Sequence, residues 1–315
     1  MGSLKAFQIK IDNKVLDYRL GKQLDLDNIR SFFKKDYSVK KLWTGGRHIF
    51  GLLEKRKRVF FLKLSTTEGI SELTKNEYKW NDEFNKLVSR KLFRFWVPKN
   101  EDSGFYYGNL FYLLTDNFEG ELLAEKPDQL QISSLFLNSI NHIIEFSKLI
   151  QELRLADLLN NDQDSKQWFF DKTNSWFEAI PPEIIKRYAV NSLLDIVEKN
   201  YPKLVKKAHH GDFTPWHLMK LKSGQIGLLD GEHAKKNGVE YYDIGYFIQR
   251  IFSVLKNQDF AEKLLSLLIK KNYQIEKLIV ILAARGIGGF LDESLKPSPN
   301  YGYSNKFKNW VISIT

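Results

Sequence analysis

The chain has 315 residues, enough for about two domains or lobes at roughly 150 residues each. Apolar residues make up 43% and charged residues 27%, which excludes wholesale disorder and the fibrous and low-complexity classes. There is no cysteine and the net charge is +10, so disulfide frameworks, thiolate metal sites and cysteine nucleophiles are out and an anionic partner is in keeping.

The opening residues lack the apolar stretch of a signal peptide. The most apolar segments, 264–269 and 278–284, fall short of the roughly 20 residues that a membrane span requires. The expectation is a cytoplasmic protein with no membrane span.

Strand-like segments at 7–11 and 15–20 and a short helix near 26–33 make residues 1–37 an N-terminal extension. Strand patterns at 38–43 and 49–53 then flank Thr44-Gly45-Gly46, and 59–64 is an apolar run interrupted only by Lys63. A small antiparallel sheet is expected here. Leu73, Tyr78, Trp80, Phe84 and Leu87 recur at helical spacing among charges, which predicts an amphipathic helix over 71–92. A further strand is expected at 110–115, and the turn composition of 116–120 marks a hinge. This divides the remainder into a lobe of residues 38–116 and a second lobe of 117–315. In the latter, helices are predicted over 136–155, from Pro181-Pro182 towards Glu198, over 259–271 and over 275–284.

One strand-like island, 218–230, interrupts the helices. It follows the segment His209-His210-Gly211-Asp212-Phe213-Thr214-Pro215-Trp216-His217, which gathers three imidazoles and a carboxylate in nine residues. If Ser223-Gly224 is a two-residue hairpin turn, Lys222 faces Gln225 and His217 faces Asp230, with opposed Cβ atoms about 4.5–5.5 Å apart. Glu232 would point to a similar side were the chain to stay extended. Asp212, His217, Asp230 and Glu232 thus form a candidate cluster whose oxygen-rich donors favour Mg²⁺ or Mn²⁺.

The segments His210-Gly211-Asp212-Phe213-Thr214-Pro215-Trp216-His217, Leu229-Asp230-Gly231-Glu232 and Tyr242-Asp243-Ile244-Gly245 resemble the aminoglycoside phosphotransferase and choline kinase-like superfamily. The resemblance runs from about residue 38 to 287 and is specific around Asp212 and Asp230. It implies an α+β, bilobal protein-kinase-like fold, with a small antiparallel-sheet N-lobe and a larger, mostly α C-lobe. It also implies a small-molecule kinase using ATP or GTP with Mg²⁺ or Mn²⁺. Asp212 becomes the catalytic base, Asp230 the principal metal ligand and Glu232 a second ligand. His210 would be the structural histidine of the loop, and Asp243 a helix-start residue steadying the site from behind. His217 stands where the family has a metal-binding Asn, and imidazole is a softer donor than Mg²⁺ usually takes.

Phosphoryl transfer of this class uses a loop over the phosphates, a strand lysine on them and a helix glutamate on that lysine. Gly45 and Gly46 supply the loop and Lys63 the lysine. Glu77 is the chosen partner, with Glu72 and Glu83 as rivals, and the strand ending in Thr115 lies beside the nucleotide.

From residue 245 to the end, ten Lys and Arg stand against five Asp and Glu, so a polycationic acceptor is disfavoured and a neutral or anionic sugar-like compound or metabolite fits better. The aromatic stretch Trp168, Phe169, Phe170, Trp176 and Phe177 suits sugar rings or helix packing. Two readings compete. One is a nucleotide-binding pseudokinase without turnover. The other is a nucleic-acid-binding protein using the basic runs at 55–58, 206–207 and 270–271, which solvated turns explain more simply.

Overall fold

The structure, a computed structural model, describes residues 4–11, 13–88, 94–125, 132–156, 158 and 164–315. Contacts divide the chain into two units. Unit 1 comprises residues 1–120, 155–159 and 221–234, and unit 2 comprises 121–154, 160–220 and 235–315.

Unit 1 begins with the hairpin β1 (Gln8–Ile11) and β2 (Lys14–Asp17), followed by α1 (Leu26–Phe33). Asp25 caps α1, its side chain accepting from the N–H groups of Asp27 and Asn28. The sheet consists of β3 (Ser38–Gly45), β4 (His48–Lys55), β5 (Arg58–Ser65), β7 (Asn100–Tyr106) and β8 (Leu110–Asp116). The short β6 (Phe95–Trp96) pairs elsewhere, in parallel with the strand Ile226–Leu228. The order is β3-β4-β5-β8-β7 and every pairing is antiparallel.

Alternation along β5 sorts its side chains. Phe60, Leu62 and Leu64 join Ile29 and Phe33 of α1 in a core on one face, so Phe61 and Lys63 must point to the other. Helix α2 (Glu68–Val88) begins three residues before the expected start. Residues 89–92 of the expected helix lie outside the described residues. Its buried positions Ile70, Leu73, Thr74, Glu77, Trp80 and Phe84 follow the 3–4 spacing of one helical face.

The basic run at 55–58 is the tip of the β4–β5 hairpin, with Lys55 opposite Arg58. Arg56 and Lys57 take the left-handed values φ 52° and 66° that a two-residue turn of this twist requires.

Unit 2 is mainly helical: α3 (Ser134–Glu152), α4 (Ser165–Glu178), α5 (Pro182–Tyr188), α6 (Asn191–Asn200), α7 (Tyr242–Ser253), α8 (Gln258–Lys270), α9 (Ile275–Ser294) and α10 (Gly302–Ser313). The strands Lys206–His209 and Lys235–Val239 pair antiparallel within it. The antiparallel sheet of unit 1 and the helices of unit 2 give the expected α+β class. Among the described residues no helix is long and apolar enough to cross a membrane.

Three expectations, two helical and one of a strand, are corrected. The helix expected from Pro181-Pro182 to about Glu198 is two helices, because Ala189 turns left-handed (φ 48°) and the N–H of Val190 reaches back to Ile185 O at 3.0 Å, a helix-ending pattern. Helix α9 runs ten residues past Ala284. At Gly286 a neighbour occupies the space a side chain would need, since a Cβ there would lie 2.8 Å from Leu193 Cδ1. Strand β2 stops at Asp17 instead of reaching Leu20, and the Asp17 carboxylate accepts from Arg19 N at 2.7 Å, an Asx turn that ends the strand.

Candidate active site

The site in unit 1 is built around Lys63. Its Nζ donates to Glu77 Oε2 at 2.6 Å and to Asp230 Oδ1, and lies 3.3 Å from Glu232 Oε2. Glu72 instead pairs with Lys75, and Glu83 accepts from Ala156 N at 3.1 Å, so neither rival reaches Lys63. Glu77 differs from both in lying on the buried stripe of α2, where a carboxylate requires a partner. Burial opposes the charge on Lys63, but Asp230, Glu232 and Glu77 hold its pKa well above the ordinary lysine value.

Glu232 is fully buried. Burial and the Asp230 charge would raise its pKa, yet Lys63, Arg47 and His48 bring it down to about 2. Arg47, which follows Gly46 in the β3–β4 turn, forms an ion pair with Glu232, and His48 Nε2 lies 3.9 Å from the same carboxylate. Burial and the Lys63 charge push the His48 imidazole down to about 3, so it is neutral near pH 7. Glu77 goes the other way: burial, supported by Asp230 and opposed by Lys63, takes it up to about 7.

The chain from 230 to 234 is positioned by α2. Asn76 Nδ2 donates to the carbonyls of Glu232 (3.1 Å) and Ala234 (2.9 Å). Asp230 is left-handed (φ 66°) and opens a 3₁₀ turn over Gly231–His233. The extended chain expected after Asp230 is therefore absent, and both carboxylates reach Lys63 by way of this turn.

The hairpin register is also corrected. Leu221, not Lys222, stands opposite Gln225: its N–H donates to Gln225 O at 2.9 Å, and Gly224 N donates to Leu221 O at 2.9 Å. Gly224 is left-handed (φ 92°), which makes a three-residue turn where two residues were expected. The expected facing of His217 and Asp230 does not follow from this turn.

Gly231 packs against Trp80, and a Cβ built there would lie 2.1 Å from the indole Cδ1. Trp80 is fully buried and has no room to withdraw. Gly231→Ala is therefore expected to cost about 1–3 kcal/mol, read as a lower urea midpoint. An unchanged midpoint would show that the turn and indole can separate freely.

Gly46 and Arg47 form a two-residue turn in which Gly45 faces His48 and Gly46 has φ 72°. The N-terminal extension packs on this turn: a Cβ on Gly21 would meet Gly46 O at 2.1 Å, and Lys22 N donates to Thr66 Oγ1 at 3.2 Å, whose hydroxyl in turn donates to Arg47 O at 2.6 Å. On the Lys63 face, Phe50 stands opposite both Trp43 and Lys63, and Thr115 stands opposite Phe61. The half-buried rings of Trp43, Phe50 and Phe61 lie 5.6–6.1 Å apart. Sequence reasoning missed this aromatic shelf and Arg47. Strand parity relative to Lys63 was the available signal for the shelf.

Unit 2 holds the remaining candidates. The two oxygens of Asp243 accept from His210 N (2.8 Å) and Gly211 N (2.9 Å), which fixes the loop that presents Asp212. Burial pushes the Asp243 carboxyl up to about 7, against the pull of those two donors. His217 Nδ1 lies 3.0 Å from the carbonyl oxygen of Asp212 and 3.5 Å from its Oδ2. A carbonyl only accepts, so Nδ1 carries the proton and a neutral ring has its lone pair on Nε2. His209, without a role from sequence, stacks on Tyr242 at 4.4 Å.

Glu77, Asp230 and Glu232 each offer a carboxylate oxygen, all within 4.8 Å of one another. Three carboxyl groups against the two cations Lys63 and Arg47 leave an excess of negative charge. Oxygen donors with that excess suit a hard divalent cation.

No family model matches the chain, and neither does any curated protein sequence. Among solved structures, the aminoglycoside phosphotransferase APH(4)-Ia aligns over 92% of this chain and 98% of its own, with TM-score 0.67 and 13% identity. A putative aminoglycoside phosphotransferase from Ralstonia eutropha aligns over 93% and 96%, with TM-score 0.57 and 12% identity. Choline kinase LicA from Streptococcus pneumoniae aligns over 92% and 98%, with TM-score 0.52 and 13% identity. The chain has the aminoglycoside phosphotransferase fold. At 12–13% identity the likeness is one of architecture, and the fold by itself names no acceptor.

Proposed function

We propose that the chain transfers the γ-phosphoryl group of ATP or GTP to a hydroxyl of a small molecule. The observation that carries this reading is the buried Lys63 ammonium, held by Glu77 at 2.6 Å and shared with Asp230 and Glu232. A purely structural strand gains nothing from a cation on a covered face, whereas phosphates require one. Nucleotide complexes of the fold lend support: APH(4)-Ia has been seen with ADP and hygromycin B, and aminoglycoside 2'-phosphotransferase-IIIa with GDP.

In this reading the acceptor oxygen bonds to the γ-phosphorus as the bond from that phosphorus to the β–γ bridging oxygen breaks. The acceptor proton passes to Asp212 and the nucleoside diphosphate leaves. Lys63 holds the α and β phosphates, and the Gly45-Gly46 turn lets the backbone approach them. Trp43, Phe50 and Phe61 offer ring faces to the base, with Thr115 beside them. Asp230 and Glu232 would hold Mg²⁺ or Mn²⁺, which supplies charge neutralisation on the phosphate oxygens. Asp243 and His217 orient the Asp212 segment.

Calorimetric titration with ATP and GTP, each with Mg²⁺, Mn²⁺ or chelator, tests the reading. Binding is expected to need metal and to weaken at least tenfold in Asp230→Asn, and nucleotide consumption is expected on adding an acceptor. Metal-dependent binding without consumption across an acceptor panel would favour the pseudokinase, for which His217 in place of Asn is the specific argument. No binding under any condition would overturn both.

A further inference from the structure

Unit 2 contains a group of cations that the phosphoryl chemistry above does not use. The guanidinium of Arg285, on α9 and 6% exposed, lies 3.6 Å from the ring centre of Tyr246 and 4.8 Å from that of Trp176. Its Nη1 donates to the Tyr242 hydroxyl at 3.3 Å, and among the described residues its buried Nε has no hydrogen-bond partner. A buried donor left unpaired is costly. The Lys172 ammonium lies 6.0 Å from the Trp176 ring and that of Lys235 lies 4.3 Å from Trp168. Trp168 neighbours His209, which stacks on Tyr242. The rings thus link the three cations into one arc, and both lysines are half-buried.

Among the described residues, three nearby acids are engaged elsewhere. Asp243 accepts from two backbone N–H groups, Asp292 pairs with Arg250 at 2.8 Å, and Asp212 lies against His217. The like charges of Arg285 and Lys172, and of Lys172 and Lys235, act on one another. Burial and the Arg285 charge bring Lys172 down to about 8, and burial and the Lys172 charge bring Lys235 down to about 8. Asp212 is close enough to act electrostatically on Tyr242 and Tyr246, the rings that flank Arg285. The candidate base and the cation arc thus share one aromatic wall.

Resting on the phosphotransferase reading, we propose that this arc binds an anionic group of the acceptor, so that the substrate is a hydroxyl compound bearing a phosphate or carboxylate. The anion takes the unpaired Arg285 donor and relieves the repulsion among Arg285, Lys172 and Lys235. The Trp and Tyr faces pack against the carbon skeleton. The same charges repel a polycation, so the acceptor class differs from that of an aminoglycoside.

The test is calorimetry and thermal melting without nucleotide, using inorganic phosphate, glucose 6-phosphate, gluconate, glucose and kanamycin. The proteins are the full chain and its Lys172→Gln/Lys235→Gln variant, chosen because these half-buried side chains can be replaced with less risk to folding than Arg285. The expected result is binding of at least one of the three anions in preference to glucose and kanamycin, a rise in Tm with that anion, and an affinity at least tenfold lower in the variant. The free variant should melt at or above the wild-type temperature, because repulsion has been removed. Phosphate against gluconate tells which anion is preferred. No anion binding, equal or tighter binding of kanamycin or glucose, unchanged anion affinity in the variant, or a variant that melts well below the wild type would each overturn the inference. A parallel ATP–Mg²⁺ titration separates the two readings: nucleotide binding without anion binding defeats only the arc, and anion binding without nucleotide binding defeats the kinase reading.

Discussion

Asp212→Asn is expected to lower kcat by about 10²–10⁴-fold, the usual contribution of a positioned general base, with nucleotide affinity unchanged. The amide keeps the size of the carboxylate and can still lie against His217 Nδ1, which is 3.5 Å from Asp212 Oδ2. What it loses is the capacity to take the acceptor's proton and the negative charge that draws the hydroxyl forward. Asp243 continues to hold the preceding backbone through His210 N and Gly211 N, so the loop should keep its conformation. Steady-state kinetics with any acceptor that supports turnover, paired with a nucleotide titration, reads both quantities. Full activity would remove Asp212 from the chemistry, whereas equal losses in kcat and nucleotide affinity would mean that the loop had collapsed.

Asp212 and Asp230 stood out as candidates because each stands in a short, dense segment where several residue types coincide. Lys63 was legible for a simpler reason, since a charge inside an apolar strand needs a partner and α2 offers a carboxylate on its buried stripe. The sheet and most helices followed from period and turn composition. The rest depended on backbone choices or distant pairings that periodicity does not carry. Gly224 takes a left-handed conformation and adds one residue to the turn, which shifts the register by one. Ala189 makes a similar reversal without a glycine to announce it. Arg47 meets Glu232 across 185 positions of sequence, and Lys172, Lys235 and Arg285 belong to three separate elements whose proximity only the folded chain creates.

Lys63→Met should be among the most destabilising single changes in unit 1. It leaves the carboxyl groups of Glu77, Asp230 and Glu232 facing one another with Arg47 as the remaining fixed cation, and removing one member of a buried ion pair costs about 3–5 kcal/mol. The loss should fall at the lower end of that range, because Glu77, already near 7, takes up a proton when the ammonium is gone. The pH dependence has a definite sign. Glu232 has a folded pKa of about 2 against an ordinary 4.5, so its contribution is present above 4.5 and is lost as pH falls towards 2. Lys63 is one of the charges that produce this depression, so the wild type should lose its advantage over the same interval. Urea denaturation of both proteins from pH 7 to pH 3 is expected to show the widest gap at neutral pH and a gap that narrows as the pH falls towards 3. A gap of the same size at every pH would mean that Lys63 stabilises through packing of its methylene stem, and a variant as stable as the wild type at pH 7 would show that the cluster is solvated.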